Sequence, residues 1–485
     1  MSEKKKNVLM ICTDHWAGSY FRHCGCDVYT PTLDYLAETG IEFSKCYSEC
    51  PVCIPARRTL MTGLSSRHHN DRVYSDTMEM PDVPTLAQCF RDNGYQAYAV
   101  GKLHVYPQRN RIGFDDVLLA EEGRYEFGET DDYQTWLGEM GHVGQEFMHS
   151  MGNNNYLTRP WHLEERFHPT SWVTKNMMKM IKRKDPTRPA FFYCSYMAPH
   201  PPLVPLQVYL DMYENKEMQP SYEDDWPDSY ILKILRHAAS QYSEEERIRA
   251  RKAFYALCTH IDYQIRLLIG TLRECSLLDD TIIVFLSDHG DMLFDHDMVA
   301  KRLMYDNSAR VPLIITGKPA LEYRNRGCEN KLATLSDVMP TLLDMCGIEI
   351  PDHVDGFSLF SDRTRDYVYG EVSNGEKATR MIRDGRFKLI YYPCGNVKQL
   401  FDMEADPHET HDLSADGKYT GILSALEEKL IGELYGDDTR WIEDGRLVGF
   451  AAPEKFIPAP DFGLYNQRGY HWPQPKGYSN KGKNA

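Results

Sequence analysis

The chain has 485 residues, 42% of them hydrophobic and 12% aromatic, which suits a folded protein with a large core and excludes a disordered chain. Its formal net charge of −16 excludes a general binder of nucleic acid or anionic membranes, whose surface is basic. Thirteen cysteines, an odd number scattered along a long chain, do not form the disulfide framework of a small secreted domain.

At the N-terminus, Lys4-Lys5-Lys6 and the apolar run from Val8 to Cys12 imitate a signal peptide. The run is too short and Asp14 interrupts it, so it reads as a buried first strand. No apolar run reaches the roughly 20 residues that span a bilayer. The expectation is a cytoplasmic protein with no membrane partner, a trimmed leader being the alternative.

That first strand, Asn7 to Cys12, ends at Thr13-Asp14-His15. A helix follows, with Pro55 in its first turn, where the missing N–H is harmless, and Gly63 able to end it. A strand from Gln96 to Val100 ends at Gly101-Lys102-Leu103-His104, and one from Ala190 to Ser195 leads to Pro199-His200-Pro201. Ser243 and Glu246 form a capping box opening a helix whose Phe254, Leu257, Ile261, Ile265, Leu268 and Leu272 recur at spacings of three and four. The strand from Thr281 to Leu286 ends at Ser287-Asp288-His289-Gly290. Continuous apolar strands alternating with helices predict an α/β domain over 1–365, built on a large, mostly parallel sheet flanked by helices. In such sheets ligands gather beyond the carboxyl ends of the strands, where these polar groups fall.

Over 366–436 the pattern changes to short strands (Tyr367 to Val372, Thr379 to Ile382, Phe387 to Tyr392, Gln399 to Phe401) and a helix from Ile422 to Leu434. This predicts a smaller antiparallel sheet with one packed helix. The tail 437–485 carries Trp441, Phe450, Phe456, Tyr465, Tyr470 and Trp472, so it is expected to pack on the body or on a neighbouring subunit of a homo-oligomer.

Cys53 stands at the start of a helix, where free amides and the macrodipole favour an anion, and Arg57 adds a fixed positive fork suited to a tetrahedral oxyanion. Asp14 and the pair Asp288-His289 offer carboxylate and imidazole donors for one divalent cation. Cys50-Pro51-Val52-Cys53 also reads as a C-x-x-C redox or metal motif; this different class of function predicts a titratable Cys50–Cys53 disulfide. No second C-x-x-C pair accompanies it.

Cys53-Ile54-Pro55-Ala56-Arg57, followed by Leu60-Met61-Thr62-Gly63, resembles the signature of the type I sulfatases of the alkaline phosphatase superfamily. Five motifs match in order over most of residues 7–410. The resemblance implies conversion of Cys53 to 3-oxoalanine (Cα-formylglycine) by a formylglycine-generating maturase. The hydrated aldehyde would then be a metal ligand and the nucleophile toward a sulfated small molecule or sugar. It implies a metal set of Asp14, Cys53, Asp288 and His289. Lys102 and Lys301 would bind sulfate, His104 would assist breakdown of the intermediate, and His200 would protonate the leaving group. His15 and His289 replace oxygen donors of the family, which makes Mn²⁺ at least as fitting as Ca²⁺; His15 is expected just behind the metal ligands. Asp297 replaces a family glycine near Lys301. Leu400-Phe401-Asp402 and Asp406-Pro407-His408-Glu409 resemble a run in sulfatase C-terminal domains.

The segments 105–190 and 205–242 match nothing and are expected to shape the leaving-group pocket, with His68, His69 and Tyr106 as candidates to reach it. The nearest rival is a phosphonate monoester or phosphodiester hydrolase, which Ala56 and Asp306-Asn307 also fit. Those enzymes lack the Gly-Lys-x-His motif intact here at 101–104.

Overall fold

A computed structural model describes residues 5–121, 130–326 and 330–454. Its main sheet has seven strands in the order Ile41–Glu42, Leu313–Thr316, Thr281–Ser287, Asn7–Thr13, Ala190–Ser195, Gln96–Gly101 and Asp116–Leu119. The strands from Thr281–Ser287 to Asp116–Leu119 run parallel, while Leu313–Thr316 pairs antiparallel with Thr281–Ser287 and with Ile41–Glu42. The architecture is therefore the expected α/β sheet, mostly parallel, with one reversed strand near an edge.

The central strands are buried along their whole length. Side chains alternate between faces, as a period of two requires. Leu9 and Ile11 join one core with Phe254, Ile261 and Leu268 of the Glu244–Glu274 helix, which the expected capping box opens. Val8, Met10 and Cys12 join the other core with Ala56, Leu60 and Met61 of the Cys53–Thr62 helix. The Cys53 helix is thus clamped to one face of the sheet. No described helix is long and apolar enough to cross a membrane.

The second sheet runs Val368–Val372, Thr379–Arg383, Phe387–Tyr392 and Val397–Asp402, antiparallel throughout. Its last strand begins two residues before the Gln399 start read from the sequence, because Val397 still pairs with Tyr392. One face, through Ile382, Leu389 and Leu400, packs on Leu426 and Leu430 of the Thr420–Glu433 helix. The other, through Met381, Ile390 and Phe401, packs on Met292, Leu303 and Tyr305 of the main body.

Residues 436–450 lie against this sheet: Trp441 is buried, the Arg380 guanidinium sits 5.1 Å over its ring, and Phe450 N–H donates to Pro393 O. Phe456, Tyr465, Tyr470 and Trp472 of the tail lie outside the described residues.

Candidate active site

Strand register brings the motifs level. Thr13 pairs with Ser287, and both Cys12 and Gly101 pair with Ser195. Asp14, Asp288 and Lys102 each follow directly, and His200 stands five residues beyond Ser195. Gly101 is required here: its φ is +109°, and a Cβ would lie 1.8 Å from Ser195 O. The close crossing lets Lys102 N–H donate to Ser195 O at 3.0 Å.

The Cys53–Thr62 helix delivers residue 53 to this row. Cys53 Sγ lies 3.2 Å from His289 Nε2 and 3.6 Å from Asp14 Oδ1. Asp14 Oδ2 accepts from Lys102 Nζ at 2.5 Å and from Arg57 at 3.4 Å. Arg57 Nε donates to Asp288 Oδ2 at 2.8 Å, and its other nitrogens reach Ser195 Oγ and Lys102 O. The guanidinium thereby ties the helix to three strand ends. All these groups are buried.

Charge follows from that packing. Burial and the neighbouring Cys53 push the Asp14 carboxyl up, but Lys102, His200 and Arg57 outweigh them and hold it below the usual carboxylate range. Burial pushes the Cys53 thiol up, yet Lys301, Lys102 and His289 hold it well below the usual thiol range. Cys50 shows the opposite direction, driven well up by burial. Both thiols are free, so the disulfide of the redox reading is not formed here.

Asp14, His15, Cys53 and His289 each offer one donor atom, all within 4.8 Å of one another. His289 Nδ1–H donates to Gly290 O at 2.9 Å, which leaves Nε2 as a lone-pair donor toward the group. One carboxylate and imidazole nitrogens beside the residue-53 position fit a divalent cation that tolerates nitrogen. Asp288 adjoins this set, its Oδ1 3.7 Å from His289 Nε2, while its Oδ2 is engaged by Arg57.

His15 sits deeper in the site than the sequence suggests. Its backbone is left-handed, φ +72°, and its ring lies between those of His200 and His289, at centroid distances of 4.3 and 4.7 Å. Its Nδ1–H donates to Asp291 Oδ2 at 2.5 Å and its Nε2 accepts from Lys301 Nζ at 2.5 Å. Lys301 also lies 3.2 Å from His200 Nε2, whose Nδ1–H donates to Pro201 O. Behind Asp291, the Tyr156 hydroxyl donates to the same carboxylate oxygen.

Sequence reasoning missed Asp291, Tyr156, Glu121 and Tyr74. Glu121 Oε1 accepts from the N–H groups of Leu103 and His104 at 2.8 and 2.9 Å, fixing the loop in which His104 adopts φ +58°. Tyr74 Oη lies 3.4 Å from His104 Nε2. An acidic residue one step beyond His289-Gly290 was the one signal that could have flagged Asp291; the others carry no motif.

The histidines proposed for the leaving-group pocket have other partners. His68 is exposed and bonds Asp355 at 2.7 Å. His69 is buried against Thr59 Oγ1, on the far turn of the Cys53 helix, at 3.0 Å. His69 thereby braces that helix from behind. Tyr106 is half-buried two residues past His104. Asp297 takes φ +54°, the glycine-like conformation, with Arg247 donating to its carboxylate at 2.6 Å. Arg310 forms a structural pair with Asp306 at 2.8 Å.

The family model for sulfatases matches residues 6–348. The chain belongs to the sulfatase family. A second model, for the C-terminal part of N-sulphoglucosamine sulphohydrolase, matches residues 294–434. The chain is 33% identical to an arylsulfatase of Clostridium perfringens over 92% of its own length and 97% of that protein's. It is 30% identical to a choline-sulfatase of Rhizobium meliloti, over 85% and 83%. Among solved structures, the phosphonate monoester hydrolase of Agrobacterium radiobacter matches with a TM-score of 0.72 at 23% identity, covering 88% of this chain and 95% of that one. This sulfatase is a sulfuric ester hydrolase.

Proposed function

We propose that this sulfatase cleaves its ester with a hydrated Cα-formylglycine made from Cys53, beside one divalent cation. The placement of Cys53 carries this reading: a buried residue at a helix N-terminus, against Asp14 and His289 and flanked by Lys102 and Lys301. Maturation would replace CH₂SH by CHO. Water supplies the aldehyde oxygen, sulfur leaves as hydrogen sulfide, and two electrons with two protons pass to an oxidant that the maturase supplies.

Asp14, Asp288, His289 and residue 53 would hold the cation, with His15 at their edge. When bound, it supplies Lewis acidity at the attacking hydroxyl and at a sulfate oxygen. Arg57 keeps both carboxylates in place. Lys102 and Lys301 present fixed positive charge to the non-bridging oxygens, the largest contribution in transfers of this kind.

One hydroxyl of the gem-diol attacks sulfur, and the bond from sulfur to the alcohol oxygen breaks. His200, fixed by its bond to Pro201 O, delivers the proton that the departing alcohol takes up. His104 then accepts the proton of the second hydroxyl. The carbon–oxygen bond to sulfate breaks and the aldehyde returns, to be hydrated again by water. A thiol at position 53 lacks the second hydroxyl and would stop after one transfer.

Intact mass and turnover test this together. Protein co-expressed with a maturase is expected to be about 18 Da lighter at residue 53, and only that fraction should turn over. Full turnover of an aryl sulfate by protein that retains the thiol would overturn the nucleophile assignment. Faster cleavage of a phenyl phosphonate than of the matched aryl sulfate would favour the phosphonate hydrolase instead.

A further inference from the structure

A cleft that shares His200 with the catalytic row is lined by Phe147, Trp161, Met197 and Leu257 together with Glu121 and Glu146. No lysine or arginine lines it among the described residues. Of its histidines, His168 does not supply a cation. His168 accepts from Thr170 N–H and faces Val204 O, and burial pushes it down to about 4. His200 is the lining residue shared with the catalytic row.

Both carboxylates have an oxygen left over. Glu121 is 6% exposed; its Oε1 takes the two backbone N–H groups near His104, and its Oε2 is buried with no partner. Glu146 Oε2 is likewise buried and unpaired, and burial pushes this carboxyl up. A third carboxyl, Asp131, accepts from Glu121 N–H at 2.6 Å. Unpaired buried carboxylate oxygens are costly, so their retention at an apolar cleft points to a ligand that satisfies them. Aromatic faces beside carboxylates, with no lysine or arginine in the lining, suit a positively charged nitrogen on a small apolar frame. A leaving group bearing further sulfates or carboxylates would be repelled.

We infer that this cleft receives the leaving group of the ester, and that it selects one carrying a cationic nitrogen on an aromatic or alkyl body. This rests on the sulfatase reading for the word "leaving group", while the recognition itself can be measured without turnover. The probes are two isosteric phenols, 4-(trimethylammonio)phenol and 4-tert-butylphenol, with 4-hydroxybenzoate as the anionic case. They are titrated calorimetrically into the full-length enzyme and into Glu146→Gln.

The cationic phenol is expected to bind about tenfold more tightly than its neutral isostere, and the anionic one more weakly than either. In Glu146→Gln the cationic advantage is expected to fall several-fold. Equal affinity of the two isosteres in the wild-type protein, or preference for the anion, would overturn the inference without reference to any variant. An undiminished cationic advantage in a folded Glu146→Gln protein would do so too. Failure of the sulfatase reading shows separately: matured enzyme would then cleave none of the corresponding aryl sulfates, whatever the phenols' affinities.

Discussion

Lys388→Met tests how the small sheet fastens the active-site segment to the body. Lys388 is fully buried. Its ammonium bonds Asp306, Glu409 Oε1 at 2.8 Å and Met304 O at 3.1 Å. Asp306 keeps two further donors, Arg310 at 2.8 Å and Tyr47 Oη at 3.0 Å, and Glu409 Oε2 takes Asp306 N–H at 2.7 Å. Methionine fills nearly the same volume but removes the cation, leaving Glu409 with backbone N–H and no charge partner. Removing one partner from a buried pair costs about 3–5 kcal/mol. Asp306 retains Arg310, so the lower half of that range, about 3 kcal/mol, is expected. The sign with pH separates electrostatics from packing. Burial already pushes Glu409 up, with Lys388 the main opposing pull. Without Lys388 the carboxyl rises further, so protonation relieves the variant and its deficit shrinks as pH falls from 8 toward 5. Asp306 behaves oppositely: burial raises it, but Lys388 and Arg310 hold it low, and its contribution persists above the unfolded carboxylate pKa and is lost only in strong acid. Urea unfolding of both proteins across that pH range measures the difference. A deficit below about 1 kcal/mol, or one independent of pH, would refute the claim that Lys388 acts as a buried counter-charge.

Four outcomes at the active site are expected alongside this. His200→Gln should lower kcat by about 10²–10⁴ for alkyl sulfates and far less for a nitrophenyl sulfate, whose phenolate departs without a proton; equal losses would remove His200 from the acid role. Lys301→Ala should lower kcat/KM by about 10²–10³. Asp291→Asn should lower it in the wild type yet add little in the Lys301→Ala background, because Asp291 reaches the substrate only through His15 and Lys301; full additivity in that double-mutant cycle would break the chain. Chelator-treated enzyme should lose turnover and recover it with Mn²⁺ or Ca²⁺, equilibrium dialysis giving the stoichiometry; undiminished turnover at zero bound metal would remove the cation from the site.

What could be read from the sequence follows from how the site is built. Apolar runs such as Val8 to Cys12 and Ile282 to Leu286 are buried on both faces, so they mark the central strands, and the first polar residue after each marks its carboxyl end. Parallel pairing then makes those ends level, which is why Asp14, Lys102, His200 and Asp288 could be grouped before any coordinates. The residues that orient them were not legible. Glu121 holds the His104 loop and Asp291 holds His15, across separations of 17 and 276 residues; Glu121 looks in sequence like an ordinary surface acid, and only its place after His289-Gly290 marks Asp291. His68 and His69 show the converse: they follow the signature helix closely in sequence but lie on the separate Ser66–His69 helix, where Asp355 and Thr59 take them.

The same logic separates the reaction from its specificity. Transfer of sulfate depends on groups at level strand ends, where the sheet tolerates little change: a Cβ at Gly101 would meet a carbonyl at 1.8 Å. The leaving-group cleft depends instead on Glu121, Glu146, Phe147, Trp161 and Met197, drawn from connections outside the strands. Loops on a rigid scaffold vary without disturbing it. Changes at Glu146 should therefore move selectivity among sulfate esters while leaving the metal set and the Lys102–Asp14–Arg57 row in place, and the two can be engineered independently.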